Sequence, residues 1–146
     1  MDTLNAAQQA AVTHVDGPLL VLAGAGSGKT SVITQKIAYL IREYGIAPAH
    51  ITAITFTNKA AKEMQARATS LLGDRGKQVI ISTFHALGVR ILRQEAKALG
   101  LKPGFSILDS SDATGLLQEL SGGVDKAQLR LLQSRISLWK NALIDP

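Results

Sequence analysis

The sequence predicts an α/β fold with a parallel sheet, and two observations indicate this class. Short apolar runs of strand length recur in the first part of the chain, and each is followed by a segment whose apolar residues return at helical spacing. Strands that alternate with helices of this length form βαβ units, in which neighbouring strands run parallel. The composition, with 46% hydrophobic and 18% charged residues, is typical of a globular domain.

The first strand and helix are predicted on either side of a glycine-rich stretch. The run from Pro18 to Ala23 is short, apolar and stopped by glycines, which is expected of a strand buried on both faces of a parallel sheet. A helix is predicted from Lys29, because apolar residues recur there with helical periodicity until Gly45, a favourable C-terminal stop. We therefore expect a strand, a glycine loop and a helix in that order.

Two further strand–helix units follow. Ile51 to Phe56 is predicted as a second buried strand, and Lys59 to Leu72 as a helix that Asn58 can cap. Val79 to Ser82 is predicted as a third strand, which leads into a helix from Phe84 to about Leu99. The three units together predict a parallel sheet with helices packed on it.

The last third of the chain has a different character, because no apolar strand of the earlier kind returns. Helices are predicted from about Ser111 to Leu120 and from Asp125 to about Ala142, separated by a Ser-Gly-Gly break. We predict two domains: residues 1–84 form the first part of the α/β domain, and residues 85–146 begin a mainly helical subdomain.

The glycine-rich stretch, residues 23–30 with the sequence AGAGSGKT, matches the phosphate-binding P-loop except that Ala23 replaces the first glycine. Gly24, Gly26 and Gly28 let backbone N–H groups wrap phosphate oxygens, and Ala25 and Ser27 lie between them. Lys29 is placed to neutralise the β- and γ-phosphates, and the Thr30 hydroxyl to ligate Mg²⁺. The alternative is a glycine-rich turn without a ligand. The pattern favours a site for ATP and Mg²⁺.

Three neighbouring segments carry groups that fit nucleotide or nucleic acid. Gln8 has an amide that can pair with both N6 and N7 of adenine, although exposed glutamines at the start of a helix are also common. The remaining candidates lie at the C-terminal ends of the second and third strands, where ring stacking and phosphate contacts are possible. They are Phe56, Thr57, Asn58, Lys59, Thr83, Phe84 and His85. The alternatives are core aromatics at 56 and 84, helix caps at 57, 58 and 83, and a structural histidine.

Positive charge is concentrated in the middle of the chain. Residues 59–102 contain nine Lys and Arg against three acidic residues, whereas the segments on either side are close to balanced. Either a phosphate-rich partner or a solvated basic surface would explain this excess of positive charge.

In this order and spacing, the segments resemble the superfamily 1 DNA helicases of the UvrD, Rep and PcrA group. LNAAQ is similar to the Q motif, AGAGSGKT to motif I, TFTNKAAKEM to motif Ia and STFHALGVRILR to motif Ib. The resemblance continues through FSILD and ISLWKN, so it covers essentially the whole chain. It implies a partial RecA-like P-loop NTPase domain followed by part of an inserted helical subdomain.

The resemblance also implies roles for these positions. Gln8 would recognise adenine, residues 23–30 would hold ATP and Mg²⁺, and the residues after the second and third strands would contact single-stranded DNA. Lys36 stands where many relatives have an arginine near the nucleotide. The family translocates 3′ to 5′ along one strand, so single strands and junctions with duplex DNA are the expected partners.

Catalysis by this stretch alone is not expected. No apolar strand ending in Asp-Glu follows the P-loop, so the carboxylates that help hold Mg²⁺ and activate water are absent from it. The alternatives left open are a non-catalytic nucleotide- and nucleic-acid-binding module and a P-loop kinase, which would need a lid that the sequence does not supply.

An incomplete sheet also predicts an open edge, through which the chain could associate with a second copy. The absence of cysteine excludes disulfides and thiolate metal sites, and no segment is long and apolar enough to cross a membrane. These features, with an N-terminus unlike a signal peptide, predict a cytoplasmic protein.

Overall fold

The computed structural model describes residues 4–102 and 104–144 and confirms the α/β class. The chain divides into two compact units between Glu95 and Ala96. The elements of the first unit are α1 (Ala6–Thr13), α2 (Lys29–Arg42), a 3₁₀ turn (Pro48–His50), β1 (Thr52–Thr55), α3 (Asn58–Leu72), α4 (Asp74–Lys77), β2 (Ile80–Thr83) and α5 (Phe84–Gln94). The second unit contains α6 (Ser110–Leu120) and α7 (Lys126–Asn141).

The described strands, β1 and β2, pair in parallel, as the alternation of strands and helices predicts. The register places Thr52 beside Ile80 at the start of the pair and Thr55 beside Thr83 at its end. Because α3 lies between the two strands in the chain, the segments that follow Thr55 and Thr83 emerge at the same edge of the sheet.

The core of the first unit lies where α2 and α3 meet the two strands. Its buried side chains come from helix, loop and strand alike, because the apolar face of each helix and one face of the sheet need a common interior. The cluster consists of Ile37, Ile41, Ile51, Ala53, Met64 and Val79. The helical periodicity that predicts α2 and α3 therefore identifies the faces that are buried.

The prediction of a buried first strand over Pro18 to Ala23 is wrong, because this segment pairs with no strand among the described residues. The exposure of its side chains still alternates along the segment. Leu19 and Val21 are 45% and 49% exposed. Leu20 and Leu22 are 82% and 87% exposed. This period of two is that of a strand, but a ladder needs a neighbour to accept its hydrogen bonds, and none of the described segments supplies one.

Some helix ends differ from the predictions. The cap of α3 is Thr57, whose Oγ1 accepts a hydrogen bond from the Ala60 N–H at 3.1 Å, so Asn58 is the first helical residue and the prediction that it caps the helix is wrong. A threonine hydroxyl reaches the third N–H after it as well as an asparagine oxygen does. Helix α5 ends at Gln94, short of the predicted Leu99, and turns follow it.

Two arginines, Arg42 on α2 and Arg75 on α4, each bind a carbonyl near the C-terminal end of a neighbouring helix. The Arg42 guanidinium donates to the carbonyl of Leu71 near the end of α3, and Arg75 donates to the carbonyl of Ile41 at 3.1 Å. Both bonds place a cation against the partially negative C-terminal end of a helix, where it is stabilising. Two of the nine basic residues in the central segment therefore have partners within the fold, because Lys77 also forms an exposed ion pair with Asp74 at 2.7 Å.

The second unit contains a pair of packed helices, which agrees with the predicted helical character of this part of the chain. Asp109 caps α6 and Asp125 caps α7, each through its side-chain carboxylate. Leu129 is buried, and Thr114 Oγ1 lies 3.2 Å from Gln133 Oε1 across the pair. The predicted boundary between residues 84 and 85 stays a prediction, and Pro103, where the composition changes, lies outside the described residues.

None of the helices within residues 4–102 and 104–144 is both long enough and apolar enough to cross a bilayer.

Candidate functional site

Residues 23–28 form a loop that leads directly into α2. The loop carries two glycines with left-handed backbone angles, Gly26 at φ 74° and Gly28 at φ 79°, and Gly28 is the residue that caps α2. A side chain at either position would be strained, because L-residues with a Cβ rarely adopt this region. The predicted order of glycine loop and helix is confirmed, with the helix beginning at Lys29 as expected.

The N-terminus of α2 differs from those of the other long helices because no side chain caps it. Its first N–H groups and its partial positive charge are therefore available to an anionic ligand. Every other helix of at least eight residues in the described part of the chain has a side-chain cap. These caps are Asn5, Thr57, Thr83, Asp109 and Asp125.

The Lys29 ammonium group lies over the loop. It donates to the carbonyl of Ala23 at 3.0 Å and to that of Gly24 at 2.5 Å. A phosphate oxygen can replace these carbonyls as a hydrogen-bond acceptor and adds an opposite charge, which makes the bond stronger. Thr30 follows as the second residue of α2 and is half-buried. The lysine, the hydroxyl and the uncapped helix thus fit the phosphates and Mg²⁺ of a nucleotide.

A hydrogen bond from the Gln8 side chain joins α1 to this loop. The Asn5 and Gln8 side chains form a reciprocal capping box at the start of α1. The Gln8 Nε2 also donates to the carbonyl of Ser27 at 3.0 Å. A Cβ built on Gly28 would lie 3.1 Å from the same nitrogen, so Gly28 serves both the backbone turn and the approach of Gln8. The structure brings Gln8 to the phosphate loop, as its predicted role requires.

Lys36 has a contact that the sequence did not indicate. Its Nζ donates to the carbonyl of Ala11 at 2.9 Å and to that of His14, and so places a cation at the C-terminal end of α1. The Lys36 side chain therefore joins α2 to α1. No local sequence signal identifies this bond, because the partners are backbone carbonyls more than twenty residues away.

A cavity of about 810 Å³ lies between α1, residues 14–23 and α2. Gln8, Ser27, Lys29 and Lys36 supply polar groups to its wall, and most of the remaining lining is aliphatic. No aspartate or glutamate belongs to that lining among the described residues. The cavity therefore combines lysine side chains with a broad apolar surface.

The second group of candidates lies at the carboxyl edge of the sheet. Because Thr55 pairs with Thr83, the two motifs that follow these residues lie next to each other. Phe56 is 94% exposed and Phe84 is 65% exposed. The alternative that both rings belong to the core is therefore wrong. Two aromatic rings without burial at one edge can stack on the bases of a single strand.

Both threonines in these motifs cap a helix. Thr57 Oγ1 accepts from the Ala60 N–H, and Thr83 Oγ1 accepts from the Ala86 N–H at 3.2 Å. The cap uses the oxygen as an acceptor, so each hydroxyl can still donate to a phosphate. Thr57 is exposed, whereas Thr83 is buried, so Thr57 is the more accessible of the two.

The remaining candidates at this edge, Asn58, Lys59 and His85, all have exposed side chains. They stand on the first turns of α3 and α5, beside the two exposed rings. The structure therefore gathers the predicted candidates into two groups, one on the phosphate loop with Gln8 and one at the carboxyl edge of the sheet.

Comparison with known proteins gives relatives over nearly the full length of this chain. It is 54% identical to the ATP-dependent DNA helicase Rep of Escherichia coli (strain K12), an alignment that covers 98% of this chain and 22% of that protein. It is 49% identical to the ATP-dependent DNA helicase PcrA of Bacillus subtilis (strain 168), over 98% of this chain and 20% of that protein. The chain spans about a fifth of the length of these relatives.

A family model, the UvrD/REP helicase N-terminal domain, matches residues 4–146. This match includes both candidate groups and confirms the resemblance that the four motifs indicate. The chain belongs to the UvrD/REP helicase N-terminal domain family.

Proposed function

We propose that this chain is the N-terminal portion of an ATP-dependent DNA helicase and translocase that binds ATP with Mg²⁺ and single-stranded DNA. The observation that carries the proposal is the N-terminus of α2, which no side chain caps and which follows a loop whose Ala23 and Gly24 carbonyls accept hydrogen bonds from the Lys29 ammonium group. Its relatives, including Rep and PcrA, are named ATP-dependent DNA helicases, which supports the same activity for the protein to which this chain belongs.

The nucleotide would be held by the loop of residues 23–30 and by α1. The free N–H groups at the start of α2 would bind the phosphates together with Lys29. Mg²⁺ would be held by the Thr30 hydroxyl, and it would supply charge to neutralise the phosphates. Gln8 would recognise adenine. Lys36 would act on the nucleotide site indirectly, because its ammonium group is bonded to α1.

Single-stranded DNA would bind along the carboxyl edge of the sheet. Phe56 and Phe84 would stack on bases, since both rings are exposed. The phosphates would be contacted by Thr57, Asn58 and Lys59, and on α5 by Thr83 and His85. Junctions of single and double strands are the expected substrates, and 3′-to-5′ movement follows from the family resemblance. A cytoplasmic location stays a prediction from the sequence.

We further propose that this stretch alone does not hydrolyse ATP at the rate of a helicase. The lining of the proposed nucleotide cavity contains two lysines and one serine but, within the described residues, no carboxylate to orient water. Nucleotide binding without turnover is the expected behaviour. Robust DNA-stimulated hydrolysis by the purified chain would contradict this proposal while leaving the binding sites in place.

The binding proposal is tested by Lys29→Ala, with Lys62→Ala as the matched control. Lys62 is exposed on α3, so its removal subtracts the same charge from the same unit. Titration calorimetry with ATP and Mg²⁺ is expected to show loss of binding only in the Lys29 variant. Unchanged affinity in that variant, with circular dichroism showing an intact fold, would overturn the nucleotide site.

A further inference from the structure

A buried hydroxyl group lies on the inner face of α2, one helical turn beyond Thr30. Among the described residues, the buried polar side chains are those of Thr34 and Thr83, and Thr83 caps α5. Thr34 is 3% exposed and shares the buried face of α2 with Ile37 and Ile41. A hydroxyl in an apolar interior is costly unless it is hydrogen-bonded. The partners of Thr34 therefore indicate what this side chain does.

The Thr34 hydroxyl is bonded to the first turn of α2. Its Oγ1 donates to the carbonyl of Thr30 at 3.1 Å and to that of Ser31 at 3.0 Å. In an α-helix, each of these carbonyls also accepts the backbone N–H of the residue four positions further on. The side chain therefore adds a second donor, shared between the two carbonyls, and restricts the orientation of the peptide groups to which they belong.

The peptide group between Thr30 and Ser31 connects this hydroxyl to the phosphate loop. Its carbonyl accepts from Thr34, whereas its N–H belongs to Ser31, the third residue of α2. That N–H has no acceptor within the described part of the chain, and the next one, of Val32, donates to the carbonyl of Gly28 at 3.0 Å. The Ser31 N–H is therefore available to an anionic ligand. A hydrogen bond to the carbonyl of a peptide group also polarises its N–H, which makes this N–H a better donor.

We propose that Thr34 is a positioning residue of the phosphate loop. Its hydroxyl holds the peptide group between Thr30 and Ser31, so that the Ser31 N–H is directed to a phosphate and the Thr30 hydroxyl stays in place for Mg²⁺. This support acts on a helix end that has no side-chain cap. The inference rests on the proposed function, because it assigns a supporting residue to the same site. The alternative is that Thr34 bonds to the preceding turn only to satisfy its own hydroxyl, as threonines do in many helices.

The experiment is titration calorimetry of this chain with ATP and with tripolyphosphate, both in the presence of Mg²⁺, for Thr34→Val and Thr34→Ser. Valine keeps the shape of the side chain but removes the donor, whereas serine keeps the donor and removes a methyl group. We expect the valine variant to bind both ligands about three- to tenfold more weakly, which is the effect of about one hydrogen bond. The serine variant is expected to retain most of the affinity. Because Thr34 acts on the phosphates, ATP and tripolyphosphate should be weakened by the same factor.

The matched control is Thr13→Val. Thr13 Oγ1 donates to the carbonyls of Gln9 and Ala10 at 3.0 and 3.4 Å, which lie four and three residues before it, as the partners of Thr34 do. Thr13 is the last residue of α1, at the end of that helix away from Gln8. The control therefore removes the same kind of bond from another helix of the same unit, and it is expected to leave both affinities unchanged.

The outcomes separate this inference from the proposed function. If the unmodified chain binds both ligands and Thr34→Val binds them equally well, the positioning role is refuted and the proposed function stands. An equal loss in Thr34→Ser or in Thr13→Val would also refute the role, because side-chain shape or a general effect on helices would then be responsible. If the unmodified chain binds neither ligand, both the inference and the proposed function are refuted. Should circular dichroism show that Thr34→Val does not fold, Thr34→Ala is expected to show the same loss, and full affinity in that variant would refute the role.

Discussion

Gln8 and Ser27 are joined by a hydrogen bond of 3.0 Å, through which α1 holds the phosphate loop. At the other end of the same helix, Lys36 binds the carbonyl of Ala11 from α2. Helix α1 is thus joined to the glycine loop at one end and to α2 at the other. Gln8 Oε1 already accepts from the Asn5 N–H, but the amide keeps one N–H and one lone pair for a ligand.

This arrangement predicts that Gln8→Ala lowers the preference for ATP over GTP. The remaining N–H and lone pair of the Gln8 amide match the N7 acceptor and the N6 donor of adenine, so their removal affects adenine specifically. A loss of about tenfold in relative affinity is expected, which corresponds to about 1.4 kcal/mol. Calorimetry with ATP and GTP measures this relative affinity. Tripolyphosphate, which lacks the base, shows whether phosphate binding alone has changed.

The matched control is Gln9→Ala, because Gln9 is exposed and lies one position further along α1. It is expected to leave the ratio of ATP to GTP affinity unchanged. If Gln8→Ala weakens tripolyphosphate as much as ATP, Gln8 acts only by holding the loop at Ser27, and the prediction of adenine recognition is wrong.

Lys36→Met is predicted to destabilise the fold. The substitution keeps an aliphatic chain of similar length but removes the donor to the carbonyls of Ala11 and His14. Hydrogen bonds to charged groups contribute roughly 1.5–3 kcal/mol, so the free energy of unfolding should fall by an amount in that range. Urea denaturation measures the loss. Lys62→Met, at an exposed position of α3, is expected to change it by less than about 0.5 kcal/mol.

The exposed rings predict a loss of affinity for single strands in Phe56→Ala and Phe84→Ala. Stacking of one base on an aromatic ring contributes about 1–3 kcal/mol, so each variant should bind oligo(dT) more weakly by about 5- to 150-fold at fixed salt. Fluorescence anisotropy measures the affinity. Tyr44→Ala is a suitable control, because Tyr44 is a half-exposed aromatic residue that packs against Tyr39 beyond the end of α2. Equal affinities in all three variants would exclude stacking at this edge.

Local signals predicted much of the fold. The helical periodicity that begins at Lys29, and the glycines before it, placed α2 and its loop correctly because both depend on nearby residues. The parallel pairing of β1 and β2 followed from α3 between them. The strand over Pro18 to Ala23 was mispredicted for the opposite reason, since a strand depends on a neighbour elsewhere in space that no local pattern reveals.

In the candidate site, too, features that depend on nearby residues were predictable and contacts with distant residues were not. The loop and the two edge motifs were predictable, because their residue types and spacing carry the chemistry. The contact made by Lys36 was not, because it donates to the backbone carbonyls of Ala11 and His14, and any residue can supply a carbonyl. The structure shows that Phe56 is exposed and does not belong to the core. The sequence could not show this, because Phe56 ends a short apolar run that resembles a buried strand.

The exposed segment from Pro18 to Ala23 predicts that the chain self-associates. Leu20 and Leu22 project the more exposed face of a strand-like segment, and apolar side chains on an unpaired segment favour contact with another chain. Leu20→Ser/Leu22→Ser should therefore lower the association constant in sedimentation velocity while changing the free energy of unfolding by less than about 0.5 kcal/mol per site. Leu120→Ser, at an exposed position that ends α6, provides the control. A monomer at every concentration in the unmodified chain would contradict the prediction, and so would equal effects of the two substitutions.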